Sequence, residues 1–272
     1  MCRVLQGSES GYYKWRKLKE TKLKEKEERI HKEEQLVTKA FHEHYGIYGS
    51  PRIYEVLKDW GTPMSERKIG RIMKRLGLKA LQEKRFVTTT DSNHNEPIYP
   101  NLLQRKFSVE VPNAVWVSDI TYIRTAEGWL YLASIMDLYS RKIISWELSS
   151  QMTKELALVP LKRALAIRSV QEGWIHHSDR GSQYCSLEYL ELLRSHQAQI
   201  SMSRKGDPYD NACIESFHAT LKKELIYRYK LLTKAEAIER ITDYIEHFYN
   251  AERKHSTLGY LSPNTYEKLA IH

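Results

Sequence analysis

Three acidic residues in the second half of this 272-residue chain, Asp119, Asp179 and Glu215, sit in settings that suit metal-binding carboxylates. Asp119 lies within the apolar, β-rich run Ala-Val-Trp-Val-Ser-Asp-Ile-Thr-Tyr-Ile, where an unpaired charge is costly. Asp179 closes a short apolar run, Trp174-Ile-His-His-Ser-Asp. Glu215 opens a strongly helical stretch after Asp210-Asn-Ala-Cys-Ile, and thirty-five residues separate it from Asp179. Carboxylates converging from two strands and a helix can hold two divalent ions, the arrangement that cutting and joining phosphodiester bonds requires. Hard cations select oxygen ligands, so magnesium (or manganese), two ions per site, is the expected cofactor. Taken singly, each acid also fits a structural role, as a salt-bridged strand Asp or as a cap or surface carboxylate. Three of them in these flanks point to one site.

Other constellations carry less. Lys222 follows Glu215 by seven residues, two helical turns on and on the same face. His176 and His177 could ligate a metal with Asp179, although strand alternation predicts that one is buried and the other exposed. Glu215-x-x-His218 has the spacing of half a di-iron helix motif, but Glu28-x-x-His31 and Glu252-x-x-His255 match it equally. Neither a Gly-x-x-x-x-Gly-Lys-Ser/Thr nor a Gly-x-Gly-x-x-Gly phosphate loop occurs, so ATP hydrolysis and dinucleotide binding are unsupported. The cysteines, Cys2, Cys185 and Cys213, are scattered, which favours free thiols in a reducing cytosol over a zinc site.

The elements that must position the acids follow from residue periodicity. Val115–Ile123, Trp129–Met136 and Lys142–Leu148 read as three strands of a meander. A helix is expected from Thr153 to Ile167, a strand at Trp174–His177, a helix at Leu187–His196 and a strand at Gln199–Ser203. A loop at Gly206–Asn211, shaped by Asp210 and Asn211, then precedes a helix over Ala212–Leu225. A last helix is expected over Lys234–Tyr249. Ahead of this α/β half, residues 35–78 predict three short helices with Gly46, Trp60-Gly61 and Gly77 as stops, the second and third forming a helix-turn-helix. On the third, Ile69, Ile72, Met73 and Leu76 make the buried stripe, leaving Arg67, Lys68, Arg71, Lys74 and Arg75 for a DNA groove or a solvated basic face. Residues 1–34 form a charged helical segment. Residues 79–113 are a basic linker in which Lys79, Lys84, Arg85, Arg105 and Lys106 could track phosphates. The catalytic half spans 114–226 and a helical extension spans 227–272.

Charge is divided unevenly. Residues 1–113 carry 23 Lys and Arg against 15 Asp and Glu, a net +8, whereas residues 114–272 carry 20 against 19, a net +1. That asymmetry suits a phosphate-contacting front on a more neutral catalytic back. Apolar content of 41% with 28% charged residues is that of a globular protein. No apolar run approaches the ~18 residues of a membrane span, so a cytoplasmic protein with no membrane partner is expected.

The flanks of the acids also carry a resemblance. Trp116-x-x-Asp119-Ile-Thr-Tyr, His177-Ser-Asp179-Arg-Gly-Ser-Gln-Tyr and Asp210-Asn-Ala-x-x-Glu215-Ser-Phe resemble the three acidic motifs of bacterial insertion-sequence transposases. The similarity is to the second-reading-frame product of the insertion-sequence-three family, whose catalytic core is of the retroviral-integrase type. Tyr249-Asn-x-x-Arg253-x-His255-x-x-Leu258-Gly-Tyr260-x-x-Pro263 resembles that family's tail, and Cys2-x-x-Leu5-x-x-Ser8-x-Ser10-Gly-Tyr-Tyr-x-Trp15 its opening. Ser118 stands where the family more often has Thr.

The resemblance implies an α/β, ribonuclease-H-like core with an N-terminal all-α helix-turn-helix domain and a helical C-terminal extension. It implies that Asp119 bridges two magnesium ions, with Asp179 on one and Glu215 on the other, and that Lys222 contacts DNA near the scissile phosphate. Arg180 and Asn211 are further candidates for the DNA path, while Arg253 and His255 fit a structural role or a DNA contact equally. The implied activity is cleavage of insertion-sequence ends and transfer of the freed 3′-hydroxyl to target DNA, through a circular intermediate. The implied partners are double-stranded DNA (terminal repeats and target), further copies of the chain as at least a dimer, and a first-frame product. A non-catalytic DNA-binding regulator and a nuclease that cuts without joining are the alternatives.

Overall fold

The computed structural model describes residues 8–80, 98–204 and 207–270. Cys2 and Leu5 of the opening motif, and Lys84 and Arg85 of the linker, lie outside the described residues. The chain divides into two units, residues 1–81 and 82–272.

The first unit holds three helices, α1 (Glu9–Glu43), α2 (Ser50–Asp59) and α3 (Glu66–Arg75). The Ser8 hydroxyl caps α1 by accepting the Gly11 amide. From there α1 runs unbroken from the charged stretch into the apolar one, across residues 34 and 35. Its charged part is tied into the unit by tertiary ion pairs, Glu33 to Lys68 at 2.5 Å and Glu34 to Arg75 at 2.7 Å. Val37, Ala40 and Phe41 of α1 are buried with Ile53, Val56 and Leu57 of α2 and Ile69, Ile72 and Met73 of α3. The turn out of α1 requires Gly46. Its φ is +69°, and a Cβ there would come within 3.3 Å of the Phe41 ring.

The second unit is built on a five-stranded sheet in the order β3-β2-β1-β4-β5, from β1 (Val115–Thr125), β2 (Gly128–Asp137), β3 (Ile143–Ser149), β4 (Ile175–Ser178) and β5 (Gln199–Met202). β1 to β3 form the expected antiparallel meander, whereas β4 pairs parallel to β1 and β5 parallel to β4. The connections are α4 (Lys154–Ile167) between β3 and β4, and α5 (Leu187–Ser195) between β4 and β5. One core unites Trp116, Ile135 and Ile144 of the sheet with Leu158 and Leu161 of α4 and Tyr189 and Leu193 of α5. After β5 the chain forms α6 (Ala212–Glu224), whose buried positions Ile214, Phe217, His218, Leu221 and Glu224 recur at helical spacing. α6 packs on β1.

The tail is α7 (Lys234–Asp243), a π-helical continuation over Tyr244–Tyr249, and α8 (Pro263–Leu269). Buried polar pairs fasten it to the core. Arg253 Nη2 and Nε donate to the Glu224 carboxylate at 2.7 and 2.8 Å, and the Tyr244 hydroxyl donates to the same group at 2.6 Å. Arg253 is buried in this way, with its guanidinium engaged by Glu224. The Asn250 amide accepts the Ile143 N–H at 3.0 Å and donates to the Ile143 carbonyl at 2.9 Å, supplying β3 with what a neighbouring strand would. Among the described residues no helix is long and apolar enough to cross a membrane.

Candidate active site

The parallel register of β1 and β4 pairs Val115 with Ile175 and Ser118 with Ser178. Asp119 and Asp179 are the next residues of each, so they emerge at one level on adjoining strands. Asp179 follows β4 in a tight turn, where its Oδ1 accepts the Gly181 amide at 2.9 Å. A Cβ on Gly181 would lie 3.0 Å from that oxygen, so a side chain there would press on the Asp179 carboxylate. Glu215 occupies the first turn of α6, the helix end that favours negative charge.

The loop that delivers α6 is held by charge. Asp210 is fully buried between Arg105 and Arg204, whose Nε atoms lie 3.1 and 3.0 Å from its carboxylate. Bonds from Arg204 above all hold the Asp210 carboxyl well below the usual range. Arg105 also pairs with Asp207, so this linker arginine is engaged within the fold. Asn211, also buried, donates from Nδ2 to the Ser118 carbonyl at 3.1 Å, stitching the start of α6 to the residue before Asp119. Its Oδ1 has no hydrogen-bond partner among the described residues.

Electrostatics report that the acids share one environment. Burial pushes the Asp119 carboxyl up to about 7, against the opposing pull of the Ile120 amide and of Lys222. Glu215 is likewise pushed up to about 7, by burial first and then by the charges of Asp119 and Asp179. Lys222 is lowered by burial and partly restored by Asp119. Glu215 thus lies close enough to feel the charges of both other acids, and Asp119 and Lys222 feel each other. Crowded carboxylates that resist ionisation are a donor set suited to hard divalent cations. Among the described residues, however, no three His, Cys, Asp or Glu side chains already converge into a ligand cluster.

Two histidine expectations change. His176 and His177 are both buried, because β4 lies inside the sheet and is covered on both faces. His176 bonds Ser118 Oγ at 2.9 Å and the Tyr189 hydroxyl at 3.0 Å, and His177 bonds Ser201 Oγ at 2.8 Å and Ser203 Oγ at 3.1 Å. Burial pushes them down to about 3 and about 4, as expected of neutral core histidines. His218, discounted on spacing, instead reaches the site, with Nδ1 3.2 Å from Asp119 Oδ2. Its spacing from Glu215 was the only signal in the sequence, and two other Glu-x-x-His repeats mask it. Arg180, beside Asp179, donates to the Ser203 carbonyl at 2.8 Å.

In the first unit the basic side chains of α3 split into two sets. Lys68 and Arg75 face α1 and its acids. Arg67, Arg71 and Lys74 are exposed at i, i+4 and i+7, without an ion pair among the described residues. Lys79 is exposed beyond the helix.

The strand order is that of a ribonuclease-H-like core of the integrase type, and the similarity to known families makes the chain an enzyme that acts on DNA. The family model described as an integrase core domain matches residues 110–208, a second model of that description matches 196–263, and an HTH-like domain matches 26–86. The chain is 42% identical over 268 residues to the uncharacterized 31 kDa protein of insertion element IS600 from Shigella sonnei, covering 98% of this chain and 97% of that one. It is 39% identical over 267 residues to transposase InsF for insertion sequence IS3A of Escherichia coli (strain K12), covering 98% of this chain and 92% of the relative. Among solved structures, the HTLV-2 integrase catalytic core domain in complex with magnesium (trimeric form) aligns with a TM-score of 0.45 at 15% identity, over 58% of this chain and 97% of that one. The chain belongs to the IS3 family of insertion-sequence transposases, and its activity is DNA transposition.

Proposed function

We propose that Asp119, Asp179 and Glu215 are the catalytic carboxylates, and that they are the side chains that would hold two magnesium ions. What supports this reading is geometry: the β1–β4 register brings Asp119 and Asp179 to one end of the sheet, and Glu215 in the first turn of α6 is pushed up by burial and then by the charges of both. Bound magnesium would offset the negative charge of the scissile phosphate and of the attacking and leaving oxygens. Lys222, which feels the Asp119 charge from the same helix face as Glu215, contacts a DNA phosphate beside the cut. Asp210, Arg105 and Arg204 keep the preceding loop in place, so that Glu215 is delivered in a fixed position.

DNA is engaged by both units in this proposal. Arg67, Arg71 and Lys74 present one face of α3 to a groove, Lys79 extends that contact, and Arg180 lies along the path near Asp179. Lys68 and Arg75 add charge at the edge while held by Glu33 and Glu34. Asn211 acts from within the fold, through Ser118. The substrate is the pair of terminal repeats of an insertion sequence, cut at the 3′ ends and joined to target DNA. Two ends must meet, so the working form is at least a dimer, and a first-frame product is a candidate partner.

The test is incubation of the purified chain with magnesium and a labelled terminal-repeat duplex, beside Glu215→Gln. Metal-dependent nicking and joining by the natural chain alone supports the proposal. Equal activity of Glu215→Gln would sink the assignment of the acids.

A further inference from the structure

On α6, Glu215, His218 and Lys222 stand at i, i+3 and i+7, one stripe along the helix face toward β1. The rest of the buried α6 face is mostly apolar, Ile214, Phe217 and Leu221, so an imidazole among them requires partners for both nitrogens. It has them. Nδ1 lies 3.2 Å from Asp119 Oδ2, and Nε2 lies 2.7 Å from Ser134 Oγ. Ser134 is itself the residue opposite Asp119 in the β1–β2 pairing. The three side chains therefore form a hydrogen-bonded chain across two strands and one helix, with His218 only 3% exposed and Ser134 1%.

We propose that His218 is a positioning residue for the transposition reaction, fixing the orientation of the Asp119 carboxylate for cation binding. An ionised carboxylate only accepts hydrogen bonds, so the hydrogen sits on Nδ1 and Nε2 accepts from the Ser134 hydroxyl. One neutral tautomer satisfies both of these bonds. A carboxylate offers about four lone-pair sites, so a bond to His218 leaves Asp119 with capacity for cations. A neutral donor also steadies the acid without adding positive charge where cations must bind. Outer partners of this kind typically change metal affinity by about 10–100-fold when removed.

This inference rests on Asp119, Asp179 and Glu215 being the metal ligands, and its test separates the two ideas. The full chain, Glu215→Gln, His218→Phe, His218→Asn and Ser134→Ala are each titrated with Mn2+ in a calorimeter, with thermal unfolding recorded alongside. His218→Phe keeps the bulk and loses the donor, so Mn2+ binding should weaken about 10–100-fold. His218→Asn puts an amide N–H near the place of Nδ1 and should recover most of the affinity. Ser134→Ala, which frees the tautomer, should weaken binding several-fold. Unchanged binding by His218→Phe, or His218→Asn as weak as His218→Phe, would overturn the role and leave only packing. Should His218→Phe fail to fold, Ser134→Ala decides, and native affinity in it overturns the proposal. A natural chain that binds no Mn2+, or binds it as well with Glu215→Gln, removes the ligand assignment and this inference with it. Native binding that His218 variants do not disturb removes this inference alone.

Discussion

Ser118 on β1 stands directly opposite Ser178 on β4, and this one pairing sets Asp119 and Asp179 side by side as the next residue along each chain path. The two strands are far apart in sequence, and they meet because β4 enters the sheet parallel to β1 after the α4 crossover. A one-residue slip would turn one of the acids to the opposite face. The geometry of the site thus depends on the turn that follows β4 as much as on the acids themselves.

That turn is a place to test it. A methyl group on Gly181 would meet Asp179 Oδ1 at 3.0 Å and Gln183 Oε1 at 3.2 Å. Gly181→Ala should displace the Asp179 carboxylate and lower metal-dependent cleavage by about tenfold or more, the range for disturbed ligand supports. Its urea unfolding midpoint should stay near that of the natural chain. A cleavage assay paired with unfolding checks both halves, and full activity would remove the constraint assigned to Gly181.

The site should also show itself through pH. Asp119 and Glu215 titrate near 7 in the folded chain, against about 4 when unfolded. Without cations, the folded state therefore holds more protons than the unfolded one between these values. The stability these two acids contribute is greatest below about pH 4 and is lost as pH rises through about 7. Glu215→Gln should flatten that slope. Cations need the ionised forms, so their affinity should climb toward pH 7 and level off above it, with protons released on binding. Calorimetry at pH 6.5 in two buffers of different ionisation enthalpy measures the release, and equal heats would contradict it.

Arg253 offers a stability prediction. Its bidentate pair with Glu224 is buried, and Tyr244 completes the acceptor's bonding. Removing one partner leaves a buried charge alone, which costs about 3–5 kcal/mol. Arg253→Ala should therefore lower stability by that amount in urea unfolding, with no change in the salt dependence of DNA binding. A stable Arg253→Ala variant with a flattened salt slope would instead make this arginine a DNA contact.

For α3, the exposed set and the paired set should behave differently. Each DNA phosphate that a variant leaves un-neutralised reduces the slope of log affinity against log salt by about 0.9. Arg67→Ala, Arg71→Ala and Lys74→Ala combined should flatten the slope by up to about three such steps, whereas Arg75→Ala should do less, because Glu34 already offsets its charge. Equal slopes for the triple variant and the natural chain would move the DNA-binding surface off this helix face.

Much of this organisation is legible along the chain. Strand alternation around Asp119, the glycine stops at Gly46 and Gly77, and the meander followed by alternating helices and strands are local signals, set by short-range sterics and burial. So are the flanks of the three acids. Where prediction and structure part, the missing information is a distant partner. α1 reads as two segments until Glu33 and Glu34 meet Lys68 and Arg75. Arg105 looks like a free linker cation until Asp207 and Asp210 enclose it. His176 and His177 look like one inside and one outside until β4 takes an inner place in the sheet.

The sequence by itself determined which residues could do the chemistry, in what order the elements run, and the family to which the chain belongs. It did so because residue type, spacing and apolar period act over a few neighbours. The tertiary structure alone decided that Ser118 pairs with Ser178, that His218 touches Asp119, and that Arg253 spends its charge on Glu224. Those choices are made when strands and helices far apart in the chain pack together, and no local pattern records the partner that packing will bring.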